Sequence, residues 1–271
     1  MEQGREARIL KDAVYTESYI RKVDKVQIPV CNIMGVNIAA INMEWLLRFI
    51  ATNLKDLTGD YICVSNVHTT VTAYEEPEYQ RVQNGGLMAI PDGGPLSSLG
   101  RKRGYKQMER TTGPDLMGEM FKISADRSYR HYFYGSTKET LDKLYKELIK
   151  FYPELQIVGM YSPPFRELTE EEDESIIEQI NGVKPDFVWV GLGAPKQELW
   201  MAAHQGKISG LMIGVGAGFD YYAGNIVRAP KWMQKYNLEW LYRLAQDPKR
   251  LIKRYFYTNT KFIINAILLG K

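Results

Sequence analysis

The sequence predicts an α/β protein with a mostly parallel sheet and helices on both faces, and two observations lead to this fold class. Six short apolar runs rich in β-branched and aromatic residues recur along the chain, at 61–64, 87–90, 132–134, 156–158, 187–192 and 211–215. Continuous apolar runs of this length are typical of strands that are buried on both faces. Helical patterns separate them, and a regular alternation of strands and helices favours a parallel sheet.

Two of the predicted helices begin with a capping box. Residues 136–139 read Ser-Thr-Lys-Glu, and residues 169–172 read Thr-Glu-Glu-Glu. In each, we expect the first hydroxyl and the last carboxylate to satisfy backbone N–H groups at the start of the helix. Apolar residues then recur at helical spacing: Leu141, Leu144, Leu148 and Ile149 after the first box, and Ile176, Ile177 and Ile180 after the second.

The C-terminal segment has a different character. Residues 231–245 carry aromatic and aliphatic side chains on a helical pattern, which predicts one helix there. Asp247 at an N-cap position and Pro248 at the first helical position predict the start of a second helix. This second helix is basic and amphipathic, because Lys249, Arg250, Lys253 and Arg254 alternate with Leu251, Ile252, Tyr255 and Phe256.

The formal net charge of the 271 residues is only +3, but the charge is unevenly distributed. Residues 228–271 contain ten Lys and Arg against two Asp and Glu, whereas residues 1–227 contain 25 against 30. We therefore divide the chain into a charged leader (1–27), a mildly acidic body (28–227) and a basic helical appendage (228–271). The small total charge argues against a nucleic-acid partner. The basic appendage nevertheless favours an anionic partner of another kind.

No targeting or membrane-spanning segment is recognisable in the sequence. The first 25 residues have mixed charge and no apolar core, so we expect no signal peptide. The longest apolar run, 262–269, is far shorter than the roughly 20 residues that a membrane span needs. Cys31 and Cys63 lack metal-ligand spacing and fit a reducing compartment. We expect a cytoplasmic protein whose contact with a membrane is peripheral.

Glycines and polar residues follow four of the predicted strands, where parallel α/β folds bind their ligands. The segments are 65–66 (SN), 91–94 (PDGG), 191–198 (GLGAPKQE) and 214–220 (GVGAGFD). Glycines let the backbone approach a ligand closely, and an adjacent helix N-terminus favours an anion. One such segment alone is more simply a tight turn, but four together predict a nucleotide or phosphate site. The candidate residues in these segments are Asn66, Gly93, Gly191, Gly193, Lys196, Gln197, Glu198, Gly216 and Asp220, and Gly135, directly after the predicted strand 132–134, is a further candidate.

Asp92 is the carboxylate best placed for chemistry, because it follows an apolar strand and precedes two glycines. A partly desolvated aspartate there can act as a general base, and the alternative is an aspartate that caps a turn. Arg110 either holds an anion or pairs with a surface acid. His68 either lines the cleft or is a satisfied loop histidine. The sequence has no P-loop, dinucleotide fingerprint or Asp-x-Asp pair, so arginines and helix N-termini would have to neutralise a bound diphosphate.

In order and spacing, these motifs resemble the WecG/TagA/CpsF family of bacterial glycosyltransferases, glycosyltransferase family 26. The resemblance extends over about residues 28–256 and is most specific at 223–234 (AGNIVRAPKWMQ), continuing through 238–243 (LEWLYR) to 247–250 (DPKR). The other matching segments are Asn66 with its flanks, 91–94, 109–115 (ERTTGPD), 152–159 (YPELQIVG), 185–186 (PD), 190–198 and 214–220.

The resemblance implies a Rossmann-like fold whose appendage helps to complete the active site and contacts an anionic membrane surface. It implies an inverting, metal-independent enzyme that needs no cofactor. Such an enzyme moves a sugar from a UDP-sugar to a polyprenyl-diphosphate-linked sugar at the inner face of the plasma membrane, in capsule, exopolysaccharide or teichoic acid synthesis. Whether the chain forms a homo-oligomer is left open.

Residue by residue, the resemblance also implies roles within the site. Asp92 matches the family's proposed catalytic base. Asn66 and Gln197 match polar residues that line the sugar pocket, and Arg110 matches an arginine near the active site.

In the appendage, Arg243 and Arg250 match arginines that are proposed to hold the diphosphate, and Lys253 occupies the next basic position. Two departures bear on the choice of donor sugar. Val64 stands where relatives often have Thr, and residues 162–165 (SPPF) replace a frequent Gly-Tyr-Phe.

Two other functional classes stay open. One is a catalytically silent, membrane-bound scaffold of a polysaccharide assembly complex, and the presence of Asp92, Asn66 and Gln197 speaks against it. The other is a nucleotide-dependent oxidoreductase, and the missing dinucleotide fingerprint speaks against that class.

Overall fold

The computed structural model describes residues 28–271, so the predicted leader, 1–27, lies outside the described residues. The centre of the molecule is an eight-stranded sheet with the order β1-β2-β4-β3-β8-β7-β5-β6. Among the strands of residues 28–271, only β1 and β2 pair antiparallel, and the other pairs are parallel. The strands are β1 (Val30–Ile33), β2 (Val36–Ala39), β3 (Tyr61–Ser65), β4 (Met88–Pro91), β5 (Arg130–Gly135), β6 (Gln156–Tyr161), β7 (Phe187–Gly191) and β8 (Leu211–Gly214).

Helices cover both faces of the sheet and complete the predicted Rossmann-like α/β fold. Successive strand residues face opposite cores: Phe187 and Trp189 contribute to one, and Val188 and Val190 to the other. The helices are α1 (Met43–Asn53), α2 (Val67–Glu75), α3 (Pro77–Gly85), α4 (Gly94–Lys102), α5 (Gly113–Arg127), α6 (Lys138–Phe151), α7 (Glu170–Gly182), α8 (Lys196–Ala203), α9 (Gly218–Tyr222), α10 (Lys231–Lys235), α11 (Glu239–Gln246) and α12 (Pro248–Phe262).

All six predicted strands are confirmed as β3 to β8, and the structure adds the hairpin of β1 and β2. Its two-residue turn consists of Met34 and Gly35, with φ angles of 52° and 86°. Two positive φ angles match the twist of a tight hairpin, and such positions normally carry Asn, Asp or Gly. The hairpin was therefore not predicted, because a methionine in this position gives no turn signal.

Two details of the predicted helices are wrong. Thr137, and not Ser136, caps α6, because Ser136 has a φ of 58° and the Thr137 hydroxyl accepts from the Thr140 N–H at 3.2 Å. The expected single helix over 231–245 is two short helices, α10 and α11, separated at Asn237, which has a φ of 60°. The capping box at 169–172 is confirmed, as is the N-cap at Asp247.

The parallel strands end along one edge of the sheet, which brings the predicted strand-end segments together. Ser65 lies opposite Pro91, and Gly135 lies opposite Gly191. Gly135 has a φ of 121°, and a Cβ there would lie 2.7 Å from the Gly191 carbonyl group. Glycine is thus required for the close approach of these two strand ends.

The appendage is docked on the body through α12. Its buried side chains, Leu251, Thr258 and Phe262, lie on the face that packs against α2. The Tyr257 hydroxyl donates to Glu75 Oε1 at 2.6 Å, and Lys261 pairs with the same carboxylate. One face of the basic helix is therefore used for docking.

The remaining appendage surface is unusually apolar. Of the eighteen exposed large hydrophobic side chains in residues 28–271, twelve lie beyond residue 228. Phe256 is 78% exposed and Ile252 is 59% exposed. None of the helices in the described part of the chain is both long and apolar enough to cross a bilayer. The twelve exposed hydrophobic side chains of the appendage are Trp232, Tyr236, Trp240, Leu241, Ile252, Phe256, Tyr257, Ile263, Ile264, Ile267, Leu268 and Leu269.

Candidate active site

Asp92 stands directly after β4 at the strand-end edge. Its backbone N–H donates to the Ser65 carbonyl at 2.7 Å, and the next residue, Gly93, is the N-cap residue of α4. Burial raises the pKa of Asp92 to about 6, although the positive charges of Arg110 and Arg243 oppose the shift. The aspartate is thus partly desolvated and lies within the electrostatic field of the appendage, as expected of a general base that works near neutral pH.

Asn66 stands after the neighbouring strand β3 and shapes the same edge. Its Oδ1 accepts from the backbone N–H groups of His68 at 2.9 Å and Thr69 at 3.2 Å. The Thr69 hydroxyl in turn accepts from the Asn66 N–H, which completes a capping box at the start of α2. The Asn66 side chain is therefore held by the start of α2, and Asn66 directly follows Ser65, whose carbonyl accepts from the Asp92 N–H.

Arg110 connects the body to the appendage. It forms an ion pair with Glu239 of α11, and the two side chains are only 19% and 15% exposed. Arg228 donates to Asp115 at 2.6 and 2.8 Å and approaches Glu239 at 3.4 Å. The partner of Arg110 is thus a shielded acid of the appendage, which corrects the alternative of a surface acid.

The appendage contributes Arg243 to the neighbourhood of Asp92. Its guanidinium carbon lies 5.7 Å from the centre of the Tyr221 ring, and burial raises the pKa of Tyr221 to about 12 while the Arg243 charge opposes the shift. Gly94 is pressed against the same appendage, because a Cβ at this position would overlap the Asn237 side chain. The junction of α4 with the appendage is therefore tightly fitted.

The other predicted appendage residues lie farther out. Arg250 pairs with Asp247 at 2.6 Å, and its side chain is 63% exposed. Lys253 is exposed as well. Arg254 is half-buried, and its pKa is lowered by burial and by the charges of Arg250 and Arg243. The structure thus brings Arg254, rather than Lys253, into the shielded junction.

His68 corrects the expectation of a satisfied loop histidine. It lies in α2, and its Nδ1 is buried without a hydrogen-bond partner among residues 28–271, as is Arg254 Nε. Burial, together with the Arg254 charge, lowers the pKa of His68 to about 4. Two unsatisfied nitrogen atoms therefore lie where the appendage meets the body.

The residues after β7 and β8 form a second group. Gln197 Oε1 accepts from the Gly216 N–H at 3.0 Å, and Gln197 Nε2 donates to Glu198 Oε1 at 2.7 Å. Glu198 is fully buried, so it presents no surface to a substrate, in contrast to the expected direct contact. Lys196, the first residue of α8, is exposed, and Gly193 has a φ of 78° in open space.

Asp220 is occupied by its own loop. Its Oδ1 accepts from the Asn225 side chain at 3.0 Å, and its carbonyl accepts from the Asn225 and Ile226 N–H groups. Asn225 also donates to the Thr140 hydroxyl of α6 at 3.0 Å. Asp220 therefore orders the loop that leads into the appendage.

A family model for the WecG/TagA/CpsF glycosyl transferases matches residues 31–270. The chain belongs to this family. It is 29% identical over 194 residues to an N-acetylglucosaminyldiphosphoundecaprenol N-acetyl-β-D-mannosaminyltransferase of Bacillus subtilis strain 168, covering 71% of this chain and 73% of the relative. A protein of the same name from Staphylococcus aureus strain MW2 is 27% identical over 223 residues, covering 81% of this chain and 86% of the relative.

Family membership confirms the prediction of a glycosyltransferase and removes the support for an oxidoreductase. Within residues 28–271 of this glycosyltransferase, no group of three or more His, Cys, Asp and Glu side chains is arranged to hold a metal ion.

Several residues that shape the candidate site were not predicted from the sequence. Glu239, Asp115 and Arg228 form the charged network around Arg110, but their partners are distant in sequence. Glu239 lies within the segment LEWLYR that carried the resemblance, and it is one of only two acidic residues in the basic appendage, which was the one available signal.

Proposed function

We propose that this glycosyltransferase moves a sugar from a UDP-sugar to a polyprenyl-diphosphate-linked sugar during the synthesis of a bacterial cell-surface polysaccharide. The observation that carries the proposal is the position of Asp92, a partly buried carboxylate at the strand ends that lies within the electrostatic field of Arg110 of the body and Arg243 of the appendage. The names of the relatives support an acceptor of the N-acetylglucosaminyl-diphosphoundecaprenol type and N-acetylmannosamine as the transferred sugar.

The chemistry that we propose is a single displacement. The Asp92 carboxylate takes the proton of the acceptor hydroxyl while the hydroxyl oxygen attacks the anomeric carbon of the donor. The bond between that carbon and the diphosphate oxygen breaks, and its electron pair leaves with UDP. Attack opposite to the leaving group inverts the anomeric centre, and Asp92 then releases its proton to water.

Arginines take the part that a metal ion plays in many diphosphate sites, since charge-assisted hydrogen bonds stabilise a departing diphosphate. Of the two arginines whose charges act on Asp92, Arg110 acts more strongly but is paired with Glu239, so we assign Arg243 to the departing diphosphate. Arg254, with its unpartnered Nε, is a second candidate. We assign Arg250 and Lys253, on the exposed part of α12, to the diphosphate of the lipid acceptor.

A donor panel tests the activity. UDP release is measured for the purified chain with UDP-linked N-acetylmannosamine, N-acetylmannosaminuronic acid, glucose, galactose and mannose, each with and without a polyprenyl-diphosphate-linked N-acetylglucosamine. We expect release that requires both substrates and favours one donor. A folded chain that releases UDP from none of them would instead support the catalytically silent scaffold.

We propose further that the appendage seats the enzyme on the inner face of the plasma membrane. The exposed side chains of α12 include Ile252 and Phe256 next to Lys253. Burying each apolar side chain contributes about 1.5–3 kcal/mol, and each nearby basic residue contributes about 1 kcal/mol on an anionic surface. This combination supports peripheral attachment close to a lipid-linked substrate.

Vesicle sedimentation tests the attachment. We expect the double variant Ile252→Ser/Phe256→Ser to bind phosphatidylglycerol-containing vesicles at least tenfold more weakly than the unchanged chain. The matched control is Tyr145→Ser/Phe151→Ser, which removes two exposed side chains of α6, 48% and 65% exposed, and should bind normally. Equal binding by all three proteins would contradict a membrane role for α12.

A further inference from the structure

A row of buried polar side chains runs beneath the strand ends and is not used by the proposed displacement. Ser65 Oγ donates to Gln83 Oε1 at 2.5 Å, and Gln83 Nε2 donates to the Tyr79 hydroxyl at 2.9 Å. The Tyr79 hydroxyl donates to Glu198 Oε2 at 3.1 Å. None of these four side chains is more than 1% exposed. Buried polar groups are costly unless they are hydrogen-bonded, and each of these side chains is bonded to another member of the row.

The row continues from Glu198 to the surface of the site. Glu198 Oε1 accepts from Gln197 Nε2 at 2.7 Å, and Gln197 Oε1 accepts from the Gly216 N–H at 3.0 Å. Gly214, at the end of β8, leaves no space beneath this amide, because a Cβ there would lie 3.0 Å from Gln197 Nε2 and 2.8 Å from Met201 Cε. The Gln197 amide is thus held flat against the end of β8.

The direction of every hydrogen bond in this row is determined by Glu198. An ionised carboxylate only accepts, so both Tyr79 and Gln197 must donate to it. Gln197 then has to present its oxygen to Gly216. A rotated Gln197 amide would place one N–H group against the Gly216 N–H and an oxygen against the carboxylate, which are two repulsive contacts in a buried setting.

We propose that Glu198 is a positioning residue that acts through Gln197 on the loop after β8, and that this loop holds the sugar nucleotide. The inference rests on the proposed function. Asp92 follows β4 and must face the acceptor hydroxyl, while β8 lies two strands away in the order β4-β3-β8. Neighbouring strands are about 4.8 Å apart, so a ligand at the end of β8 lies about 10 Å from the base, on the donor side of the reacting centre.

The test is Glu198→Gln, which keeps the volume of the side chain but lets position 198 donate. Its amide nitrogen would face the Gln197 or the Tyr79 donor, so the Gln197 amide loses its single allowed orientation. We expect KM for the UDP-sugar to rise at least tenfold, with kcat within threefold of the unchanged enzyme. The measurement is made at pH 8.5, since burial raises the pKa of Glu198 to about 7.

The matched control is Tyr79→Phe. It removes two hydrogen bonds of the row, from Gln83 and to Glu198, but it leaves the contact between Glu198 and Gln197 intact. We expect a lower melting temperature and a donor KM within twofold of the unchanged enzyme. A purely structural role of the row would affect both variants alike, in step with their loss of stability.

Two results would overturn the inference: an unchanged donor KM in Glu198→Gln, or an equal rise in KM in Tyr79→Phe. If Glu198→Gln does not fold, Gly214→Ala replaces it, because the added methyl displaces Gln197 without altering any charge. That variant must raise the donor KM as well, and an unchanged KM overturns the inference. Failure of the proposed function is distinguishable, since the unchanged enzyme would then show no transfer at all.

Discussion

Replacing Asp92 by Asn should make the enzyme more stable while it destroys turnover. Burial raises the pKa of Asp92 from 3.8 to about 6, so the folded state binds more protons than the unfolded state between about pH 4 and pH 6. The free energy of unfolding therefore falls as the pH rises through that window. A pKa shift of one unit corresponds to about 1.4 kcal/mol. The buried charge of Asp92 therefore lowers the free energy of unfolding by about 3 kcal/mol at pH 8.

Asparagine has nearly the same shape and no charge to bury. We expect Asp92→Asn to be more stable by about 3 kcal/mol at pH 8 and by about 1 kcal/mol at pH 4.5. For a chain of this size, the gain at pH 8 raises the melting temperature by about 5–10 °C. Loss of the general base should lower kcat by about 10²–10⁴-fold. Denaturation at both pH values and a UDP-release assay measure the two effects.

Asp115→Asn is the matched control, because the sign of its effect is opposite. Burial alone would raise the pKa of Asp115, but hydrogen bonds from Arg228 and Thr112 outweigh burial and hold it below its ordinary value. Its charge therefore stabilises the folded state at pH 8, and its removal should destabilise the protein. If Asp92→Asn gains no more stability at pH 8 than at pH 4.5, the charge of Asp92 is not destabilised by burial. If the variant keeps turnover within tenfold of the unchanged enzyme, Asp92 is not the general base.

Three further predictions follow from the same geometry. The kcat/KM of the unchanged enzyme should fall about tenfold per pH unit below pH 6, where Asp92 gains its proton; a flat profile from pH 7 to pH 5 contradicts its role as base. A double-mutant cycle of Arg110→Ala and Glu239→Ala should give a coupling of about 1–3 kcal/mol in unfolding free energy, whereas additive effects would mean that this pair does not dock the appendage. Gly94→Ala should lower activity at least tenfold because the methyl overlaps an appendage side chain, while Gly182→Ala, with open space around it, should leave activity unchanged.

The central strands could be predicted from the sequence, because each is a continuous apolar run bounded by turn residues. The strand-end location of Asn66, Asp92 and Gly216 followed from that prediction, since parallel strands end at one edge. Two of the errors fell where a residue adopts a backbone conformation that its type rarely takes. Met34, with a φ of 52°, lies in a hairpin turn that was not predicted. Ser136, with a φ of 58°, was predicted as the cap of a helix whose cap is the next residue.

The partners within the site could not be predicted, because they depend on tertiary packing. Arg110 and Glu239 are 129 residues apart, and Tyr79 and Glu198 are 119 residues apart. No periodicity or local motif connects such pairs. Glu198 therefore read as a substrate-binding residue beside Gln197, and only the folded chain reveals its buried oxygens and their donors.

The mass of the lipid product is the most direct test of the proposed sugar transfer. The full chain is incubated with UDP-N-acetylmannosamine and a polyprenyl-diphosphate-linked N-acetylglucosamine, and the lipid fraction is analysed by mass spectrometry. If N-acetylmannosamine is not the donor sugar, the donor that the panel selects is used instead. We expect the acceptor to gain one sugar residue with stoichiometric release of UDP, and the Asp92→Asn variant to leave the acceptor almost unmodified. An acceptor that stays unmodified with every donor, or that Asp92→Asn extends as fast as the unchanged enzyme, would contradict the proposal.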